Sequence, residues 1–371
     1  MKYRFDQIAF NSTEKKIPTE TDKEHYIGLE HIDSECLEIT RWGAEVAPIG
    51  EKLLMKKGDV LFGKRRAYQR KLAIAPFDGI FSAHGMVLRP NEEVVDKDFF
   101  PFFMSSDLFM ERAVQISVGG LSPTINWKDL REQEFSLPPL IEQKALADKL
   151  WAAYRLKGSY KKLLAATDEM VKAQFVEMIG TSESNEKGWK VSSFGEKFNV
   201  TSGGTPDTQK EEYWGGDISW IGSNMCQNTI LSQNDGKYIT HEGLNHSSAK
   251  LYKPDTVLVA LVGATIGKVA YLKFETATNQ NIAGIEILNR EEFEPMFIYY
   301  LLQNMYNRFF MLGMGKFKMA SLGFIKSLPL MVPPLVIQQQ FVTIAQQADK
   351  SGFELRKSIE AIDKVIKSLI N

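Results

Sequence analysis

The hydrophobic residues near the end of the sequence follow alternating steps of four and three positions. Over residues 341–369 the spaced positions are apolar except for one glycine. This is the a/d pattern of a coiled coil and predicts one long helix with an apolar stripe. The positions are Phe341, Ala345, Ala348, Gly352, Leu355, Ile359, Ile362, Ile366 and Leu369.

An earlier segment, residues 146–174, has a less regular version of the same pattern, with Lys157, Thr167 and Gln174 at spaced positions. Both segments follow a double proline, at 138–139 and at 333–334. Proline suits the first turn of a helix because it lacks an N–H and its φ is already helical. We therefore predict two long helical segments, 137–180 and 329–371.

The two helical segments belong to an internal repeat. LPPLIEQK, which begins at Leu137, matches VPPLVIQQ, which begins at Val332, at an offset of 195 residues, and the offset upstream is about 197. The repeat predicts two globular segments, 1–136 and 187–328, each followed by a long helix. Matching residues include Gln143 with Gln338, Asp168 with Asp363, Lys71 with Lys268, and Phe77 with Phe274.

The order of these segments predicts the direction of the helices. The second globular segment joins the end of the first helix to the start of the second, and a unit of ~140 residues has a radius of gyration of only about 14 Å. A helix of about 37 residues is about 55 Å long. Paired helices must therefore run antiparallel, with one globular segment at each end of the pair and pseudo-two-fold symmetry.

The globular segments are predicted to be β-rich with some helix. Strands are expected at Asp59–Gly63, Thr256–Val262 and Val269–Lys273, and helices with core aromatic residues at Asp98–Val114 and Pro295–Leu312. The predicted fold class is α+β: two mixed, β-rich domains with helices, separated by two long antiparallel coiled-coil helices.

Charge and cysteine content limit the functional classes. The 371 residues have a net charge of −1, so a nucleic-acid partner would have to meet a local basic patch. The two cysteines, Cys36 and Cys226, lie far apart and are typical of a reducing compartment, which predicts a cytoplasmic protein. No stretch approaches the ~18 apolar residues of a membrane span, so no membrane partner is expected.

A basic stretch marks the first globular segment. Residues 52–71 contain eight cations and one acid, and GKRRAYQRK interleaves Tyr68 and Gln69 with the cations. This mixture suits contacts to phosphates and bases, although a solvated basic loop is the alternative interpretation. The candidate DNA-binding residues here are Lys64, Arg65, Arg66, Tyr68, Gln69, Arg70 and Lys71.

The second globular segment has fewer cations and more amides. Asn and Gln can bond both edge atoms of adenine, and lysine can contact phosphate. The sequence TNQN is equally open to interpretation as a turn with satisfied hydrogen bonds. The candidate residues are Ser202, Thr205, Lys268, Asn279, Gln280, Asn281, Lys316 and Lys318.

Catalytic and metal-binding motifs are not predicted. VGATIGKV resembles a phosphate-binding loop but has Val262 where the first glycine is required and Val269 where Ser or Thr is required, so we predict a turn between strands. His241 and His246 are five residues apart, a spacing that does not fit a zinc-protease pair. The alternatives to a non-catalytic binding protein are a protein-binding adaptor with duplicated heads and, less favoured, a self-contained DNA methyltransferase or nuclease.

Two globular segments that each precede a PPL helix, together with SGGTP, EYWGGDISWI, VGATIGKVA and TNQNIAGI, resemble the specificity subunit of type I restriction–modification enzymes. The resemblance covers the whole chain. It implies two target recognition domains that each read half of an asymmetric, bipartite site in double-stranded DNA, with the helices setting the gap. It also implies docking of two methylation subunits and, in restriction-competent complexes, restriction subunits. S-adenosylmethionine, ATP and magnesium would bind to those partners and not to this chain.

Overall fold

The computed structural model describes residues 1–181, 185–313 and 319–371, which form two compact units. Unit 1 contains residues 1–163 and 355–371, and unit 2 contains residues 164–354. The predicted long helices are Leu140–Ile179, the central helix, and Leu335–Ile370, the distal helix. Each begins directly after its double proline, at Leu140 and Leu335 and not at the predicted residues 137 and 329. In the described parts of the chain, no helix is long and apolar enough to cross a membrane.

Unit 1 has two four-stranded sheets, in the orders β2-β9-β6-β7 and β3-β5-β8-β4, and a separate pair, β1-β10. The strands are β1 Lys2–Arg4, β2 Ala9–Ser12, β3 Lys15–Lys16, β4 Tyr26–Ile27, β5 Lys52–Met55, β6 Val60–Phe62, β7 Leu72–Ile74, β8 Gly79–Phe81, β9 Met86–Pro90 and β10 Glu134–Ser136. The short α-helices are Phe5–Ile8, Phe100–Ser105, Asp107–Gln115 and Trp127–Leu130. Short 3-10 helices are Glu20–His25, Leu29–His31 and Ala67–Gln69.

Unit 2 has sheets in the orders β12-β20-β17-β18-β14 and β15-β13-β19-β16, and a separate pair, β11-β21. The strands are β11 Lys190–Ser193, β12 Asn199–Ser202, β13 Trp214–Ile221, β14 Thr229–Leu231, β15 Tyr238–Ile239, β16 Leu251–Tyr252, β17 Val257–Ala260, β18 Val269–Leu272, β19 Thr276–Thr278, β20 Ile282–Glu286 and β21 Pro329–Val332. The short α-helices are Phe194–Lys197, His241–Asn245, Pro295–Asn304, Tyr306–Gly313 and Leu322–Ser327. Short 3-10 helices are Glu211–Tyr213, Ser223–Met225 and Gly263–Thr265.

The internal repeat of the sequence is present in the strand order. β2-β9-β6-β7 of unit 1 corresponds to β12-β20-β17-β18 of unit 2. In the second sheet of each unit, one strand has a parallel neighbour on one side and an antiparallel neighbour on the other. In unit 1 this strand is β8, between parallel β4 and antiparallel β5. In unit 2 it is β19, between parallel β13 and antiparallel β16. The mixed α+β fold with two related domains is therefore confirmed.

The segment before the distal helix is a strand, which the sequence analysis missed. Pro329–Val332 pair antiparallel with Lys190–Ser193, so the helix begins at Leu335 and not at residue 329. Leu330 and Met331 are buried in this strand. Burial of these apolar residues in a sheet therefore determines the conformation up to the prolines.

Each predicted aromatic helix is interrupted once. Ser106 separates Phe100–Ser105 from Asp107–Gln115, and its hydroxyl accepts a hydrogen bond from the Phe109 amide at 3.2 Å. Ser106 has an extended backbone and acts as an N-cap, which ends one helix and starts the next. Met305 separates the corresponding helices of unit 2. The prediction of one continuous helix was wrong in both cases. Burial of the aromatic residues is confirmed for most of them, but Phe310 is exposed and Tyr306 is half-buried.

In unit 1 the first half of the central helix packs against the end of the distal helix. Leu150 is buried, and Ile366 and Ile370 contact the same hydrophobic cluster. Lys157, a polar residue in the apolar pattern, forms an ion pair with Asp363. Contact between the beginning of one helix and the end of the other is what an antiparallel pair provides.

In unit 2 the end of the central helix packs against the beginning of the distal helix. The rings of Phe175 and Phe341 meet edge to face with centroids 5.2 Å apart. Ile179, Val342 and Ala345 are buried in the same cluster. The stripe predicted from residues 341–369 therefore forms core at its first positions.

Two glycines in one turn of unit 2 allow a matched test of packing. Gly263 and Gly267 both have positive φ values, +71° and +77°. A Cβ atom on Gly267 would lie 2.3 Å from the Cβ of buried Phe309, whereas a Cβ on Gly263 would meet nothing within 4 Å.

We expect Gly263→Ala to lower the free energy of unfolding by about 1–2 kcal/mol, the cost of a left-handed conformation. Gly267→Ala adds overpacking, for a total of about 2–5 kcal/mol. Urea unfolding of both full-length variants measures the difference. Equal losses for the two variants would contradict the assigned contact with Phe309.

Candidate nucleic-acid interface

The predicted basic segment of unit 1 forms a compact turn between β6 and β7. The Gly63 amide donates to the Lys71 carbonyl at 2.9 Å, which closes the turn. Arg66 and Arg70 have left-handed φ values of 58° and 51° and bracket the short helix Ala67–Gln69. The turn therefore has a defined conformation that determines which side chains face outward.

Two of the predicted DNA-binding cations contact the protein itself. The Arg70 guanidinium lies 2.6 Å from Asp107 and 3.2 Å from Glu35, and also donates to the Ser105 carbonyl. The Lys71 ammonium donates to the Leu29 carbonyl at 2.5 Å. Both side chains are half-buried and hold the turn against the rest of unit 1.

The remaining cations of the turn have no acidic partner. Within the described residues, no carboxylate lies at ion-pair distance from Lys64, Arg65 or Arg66. Burial, together with the positive charge of Lys15, lowers the pKa of the Lys64 ammonium. Arg65, Arg66 and Tyr68 are exposed, and Gln69 is half-buried. These side chains form a positive, solvent-facing surface.

A second loop, residues 116–126, is joined to the basic turn by hydrogen bonds. The Ile125 amide donates to the Lys64 carbonyl at 2.9 Å, and the Arg66 amide donates to the Pro123 carbonyl at 2.7 Å. The Arg66 guanidinium also donates to the Ser122 hydroxyl at 3.1–3.2 Å. The two loops are therefore one continuous surface.

A third segment, Ser82–His84, completes the unit 1 surface. The carbonyl of exposed His84 accepts a hydrogen bond from the Arg65 amide at 3.3 Å. His84 and Ser122 were absent from the candidate residues predicted from sequence. The repeat contains a signal for His84, because the offset of 197 places Ser82–His84 on Asn279–Asn281.

In unit 2 the corresponding turn joins β17 to β18 and ends at Lys268. Gly263–Thr265 form a short 3-10 helix, so the prediction of a turn between strands is confirmed. The Ala260 amide donates to the Lys268 carbonyl at 2.9 Å, the same bond that Gly63 and Lys71 make in unit 1. The half-buried Lys268 ammonium donates to the Gln227 side chain at 2.7 Å.

The TNQN turn of unit 2 contains a side chain that is hydrogen-bonded within the turn, Asn279, and one that faces solvent, Gln280. The Asn279 side chain accepts from the Asn281 amide at 3.1 Å, as expected for a satisfied turn. Gln280 is exposed, and its side-chain oxygen accepts from the Thr205 hydroxyl at 2.6 Å. The amide nitrogen of Gln280 is thereby directed away from Thr205, and Gln280 can present both a donor and an acceptor.

The SGGTP segment supports this turn. Ser202 ends strand β12 and pairs with Ala283 in the ladder. The Trp220 indole donates to the Gly204 carbonyl at 3.0 Å, and the Gly204 amide donates to the Thr278 carbonyl at 2.8 Å. Thr205 is thus held beside Gln280 by a buried contact.

Lys316 and Lys318 lie outside the described residues. The residues that follow them repeat a bond of unit 1: the Ala320 amide donates to the Leu261 carbonyl at 2.8 Å, as Ile125 donates to Lys64. Isolated bridges join Val262 to Met319 and Arg65 to Thr124. Over the described ranges, no group of three or more His, Cys, Asp or Glu side chains could hold a metal ion.

The two units share their strand order and the hydrogen bonds of their turns, but differ in the side chains on those turns. This duplication is typical of a protein that recognises two different sites. The model of the type I restriction modification DNA specificity domain matches residues 10–164 and 186–363. The chain belongs to this family. Specificity subunits are the DNA-recognition components of their enzymes and not the catalytic ones.

Curated relatives of this chain are specificity subunits of type I restriction enzymes. A protein of Methanocaldococcus jannaschii named as the MjaX specificity subunit of a type I restriction enzyme is 24% identical over 92% of this chain and 84% of its own length. The EcoDI specificity subunit of Escherichia coli is 30% identical over 38% of this chain and 31% of its own length.

The type I system S subunit from M. genitalium is similar in structure, with a TM-score of 0.61 and 15% identity over 100% of this chain and 94% of that chain. A chain from a structure of type I R-M complex assembly and conformational transition also has a TM-score of 0.61, with 18% identity over 100% of this chain and 96% of that chain. These two likenesses support the fold.

Proposed function

We propose that unit 1 and unit 2 each read one half of an asymmetric, bipartite sequence in double-stranded DNA. The observation that carries this proposal is the shared bonding frame of the turns: Gly63 with Lys71 in unit 1 and Ala260 with Lys268 in unit 2. Equivalent frames with different side chains provide equivalent contacts to different bases. A site read in this way has two unlike halves.

The chemistry of the two surfaces differs. Unit 1 presents Arg65 and Arg66, which can neutralise phosphates or bond guanine. Unit 2 presents the amides Gln280 and Asn281, which suit the donor and acceptor pair on adenine. Among the described residues, unit 1 therefore offers more cations for salt-dependent contacts to phosphates than unit 2 does.

The proposed complex contains two methylation subunits bound to this chain and, in restriction-competent assemblies, restriction subunits. S-adenosylmethionine binds to the methylation subunits, and ATP and magnesium bind to the restriction subunits. Exposed apolar side chains on the long helices support docking of other chains, among them Leu156 and Leu163 in unit 1 and Met170 in unit 2. The complex works in the cytoplasm.

Methylation mapping tests this function. Long-read sequencing is applied to DNA from cells that express this chain with its neighbouring methylation subunit, and to cells that lack only this chain. We expect a methyladenine motif with two half-sites and a fixed gap that depends on the chain. Absence of a motif, with an assembled complex and a competent methylation subunit, would contradict the proposal and favour the adaptor alternative.

The enzymatic alternative has a separate test. The purified chain is incubated with DNA and labelled S-adenosylmethionine, with and without the methylation subunit. We expect label in DNA only when the subunit is present. Incorporation by the chain alone would establish a self-contained methyltransferase.

A further inference from the structure

Leu121 is an apolar side chain in an unusual position. It is 97% exposed and lies at the tip of the 116–126 loop, directly after Gly119 and Gly120. Gly119 has a φ of +114°, a conformation that L-residues rarely adopt. The chain therefore turns sharply at the glycines and leaves the leucine facing solvent. A single exposed leucine is ordinary on a protein surface, and Leu121 differs through the loop that carries it and the charges beside it.

The base of this loop is held by backbone hydrogen bonds. Val118 and Thr124 exchange two bonds, at 3.1 and 2.9 Å, in an isolated bridge that closes residues 119–123 into a short loop. Thr124 also bridges to Arg65, so the base of the loop is attached to the basic turn. Leu121 consequently projects from a loop that is closed and anchored at its base.

The surroundings of Leu121 are positive. The next residue, Ser122, accepts hydrogen bonds from the Arg66 guanidinium at 3.1–3.2 Å. Across the described chain, Arg65 and Arg66 have no acidic partner. Unpaired arginines beside the tip favour a polyanionic partner over an apolar protein surface, because burial of an unpaired cation against protein is costly.

The major groove of DNA is about 12 Å wide and admits two adjacent extended segments, which is the width of a loop closed by one bridge. The apolar group that the major groove offers is the C5 methyl of thymine. We propose that Leu121 is a specificity-determining residue of unit 1 that contacts a thymine methyl in the half-site read by this unit. This inference rests on the proposed function, since it assigns one contact within the recognition of DNA.

Deoxyuridine substitution tests the contact directly. The full chain is assembled with its methylation subunits, and affinity is measured on the mapped target with each thymine of the unit 1 half-site replaced in turn by deoxyuridine, which lacks the methyl group. We expect one replacement to weaken wild-type binding about fourfold, the value of one buried methyl group. Leu121→Ala should bind the thymine and deoxyuridine duplexes equally.

Ile49→Ala is the matched control, because Ile49 is also almost fully exposed in unit 1 and lies outside the three segments of the surface. This variant should retain the wild-type response to deoxyuridine. Since both side chains are exposed, both variants should have the wild-type melting temperature, which excludes loss of folding as the cause.

Each contrary result has a distinct meaning. A Leu121→Ala complex that keeps the wild-type response to every deoxyuridine overturns the proposed contact, as does a wild-type complex that ignores every methyl group while it still selects its target. Failure of Leu121→Ala to assemble with the methylation subunits overturns it in favour of a protein contact. If the wild-type complex shows no sequence preference, the proposed function itself fails.

Discussion

Gln338→Leu is expected to destabilise unit 2 by about 3–6 kcal/mol. Gln338 is fully buried, and its oxygen accepts from the Glu294 amide at 3.0 Å. Its nitrogen donates to the carbonyls of Glu292 at 2.9 Å and Pro333 at 2.8 Å. Leucine would leave three backbone groups without these partners, one of them in a buried and two in part-buried bonds, at roughly 1–3 kcal/mol each before relaxation.

This loss is large compared with the total stability of a domain, about 5–15 kcal/mol. Urea unfolding, monitored by hydrogen exchange so that each unit is followed separately, measures it. Amides of unit 2 should lose protection at lower urea concentration than in the wild-type chain. Gln340→Leu is the control, because Gln340 is an exposed residue of the same helix and its replacement should change stability by less than about 0.5 kcal/mol.

Unit 1 contains the same arrangement. Gln143 accepts from the Asp96 amide at 2.8 Å and donates to the carbonyls of Val94 at 3.0 Å and Pro138 at 2.8 Å. In each unit the glutamine ties the start of a long helix to the loop before an aromatic helix. A loss below about 1 kcal/mol in Gln338→Leu would show that the three backbone groups find other partners.

The two glutamines show what an internal sequence repeat can predict and what it cannot. The offset of 195 identifies Gln143 and Gln338 as equivalent, but gives no reason for a glutamine at that position. The reason depends on Val94 and Asp96 in one unit and on Glu292 and Glu294 in the other, which are more than 40 residues away in sequence. Contacts of this separation arise only when the chain folds.

The positions of the long helices could be predicted from the sequence, whereas the break in the aromatic helix and the order of the strands could not. The helix starts at Leu140 and Leu335 follow from prolines and apolar spacing, which act over a few residues. The helix break at Ser106 depends on which of several possible hydrogen bonds its side chain makes, so spacing alone missed it. Strand order also remained outside the prediction, because strands distant in sequence pair in each sheet.

The candidate DNA-binding residues were likewise predictable only in part. Sequence identified a cationic stretch but could not separate Arg70, which pairs with Asp107, from Arg66, which faces solvent. The separation depends on an acid 37 positions away. In unit 2, the Thr205 hydroxyl bonds Gln280, which is 75 positions away. Residue type therefore predicted the character of each surface, and folding determined which side chains remain available.

The second large effect is expected from the double variant Arg65→Gln with Arg66→Gln. Each arginine that neutralises a phosphate contributes about 0.9 to the slope of log affinity against log salt. Loss of two such contacts should make the slope about 1.8 less steep. The affinity ratio of wild type to variant should then fall by about twelvefold between 50 and 200 mM salt.

Fluorescence anisotropy of the assembled complex on its mapped target, across a salt series, measures this slope. Lys97→Gln is a control for the loss of a surface cation, because Lys97 is an exposed residue of unit 1 outside the three segments. The slope of this variant should match that of the wild type. Parallel lines for the double variant and the wild type would remove both arginines from the phosphate contacts. A reduced slope with unchanged half-site selectivity would assign them to the DNA backbone, so that selectivity in unit 1 must come from neighbouring side chains of the same surface.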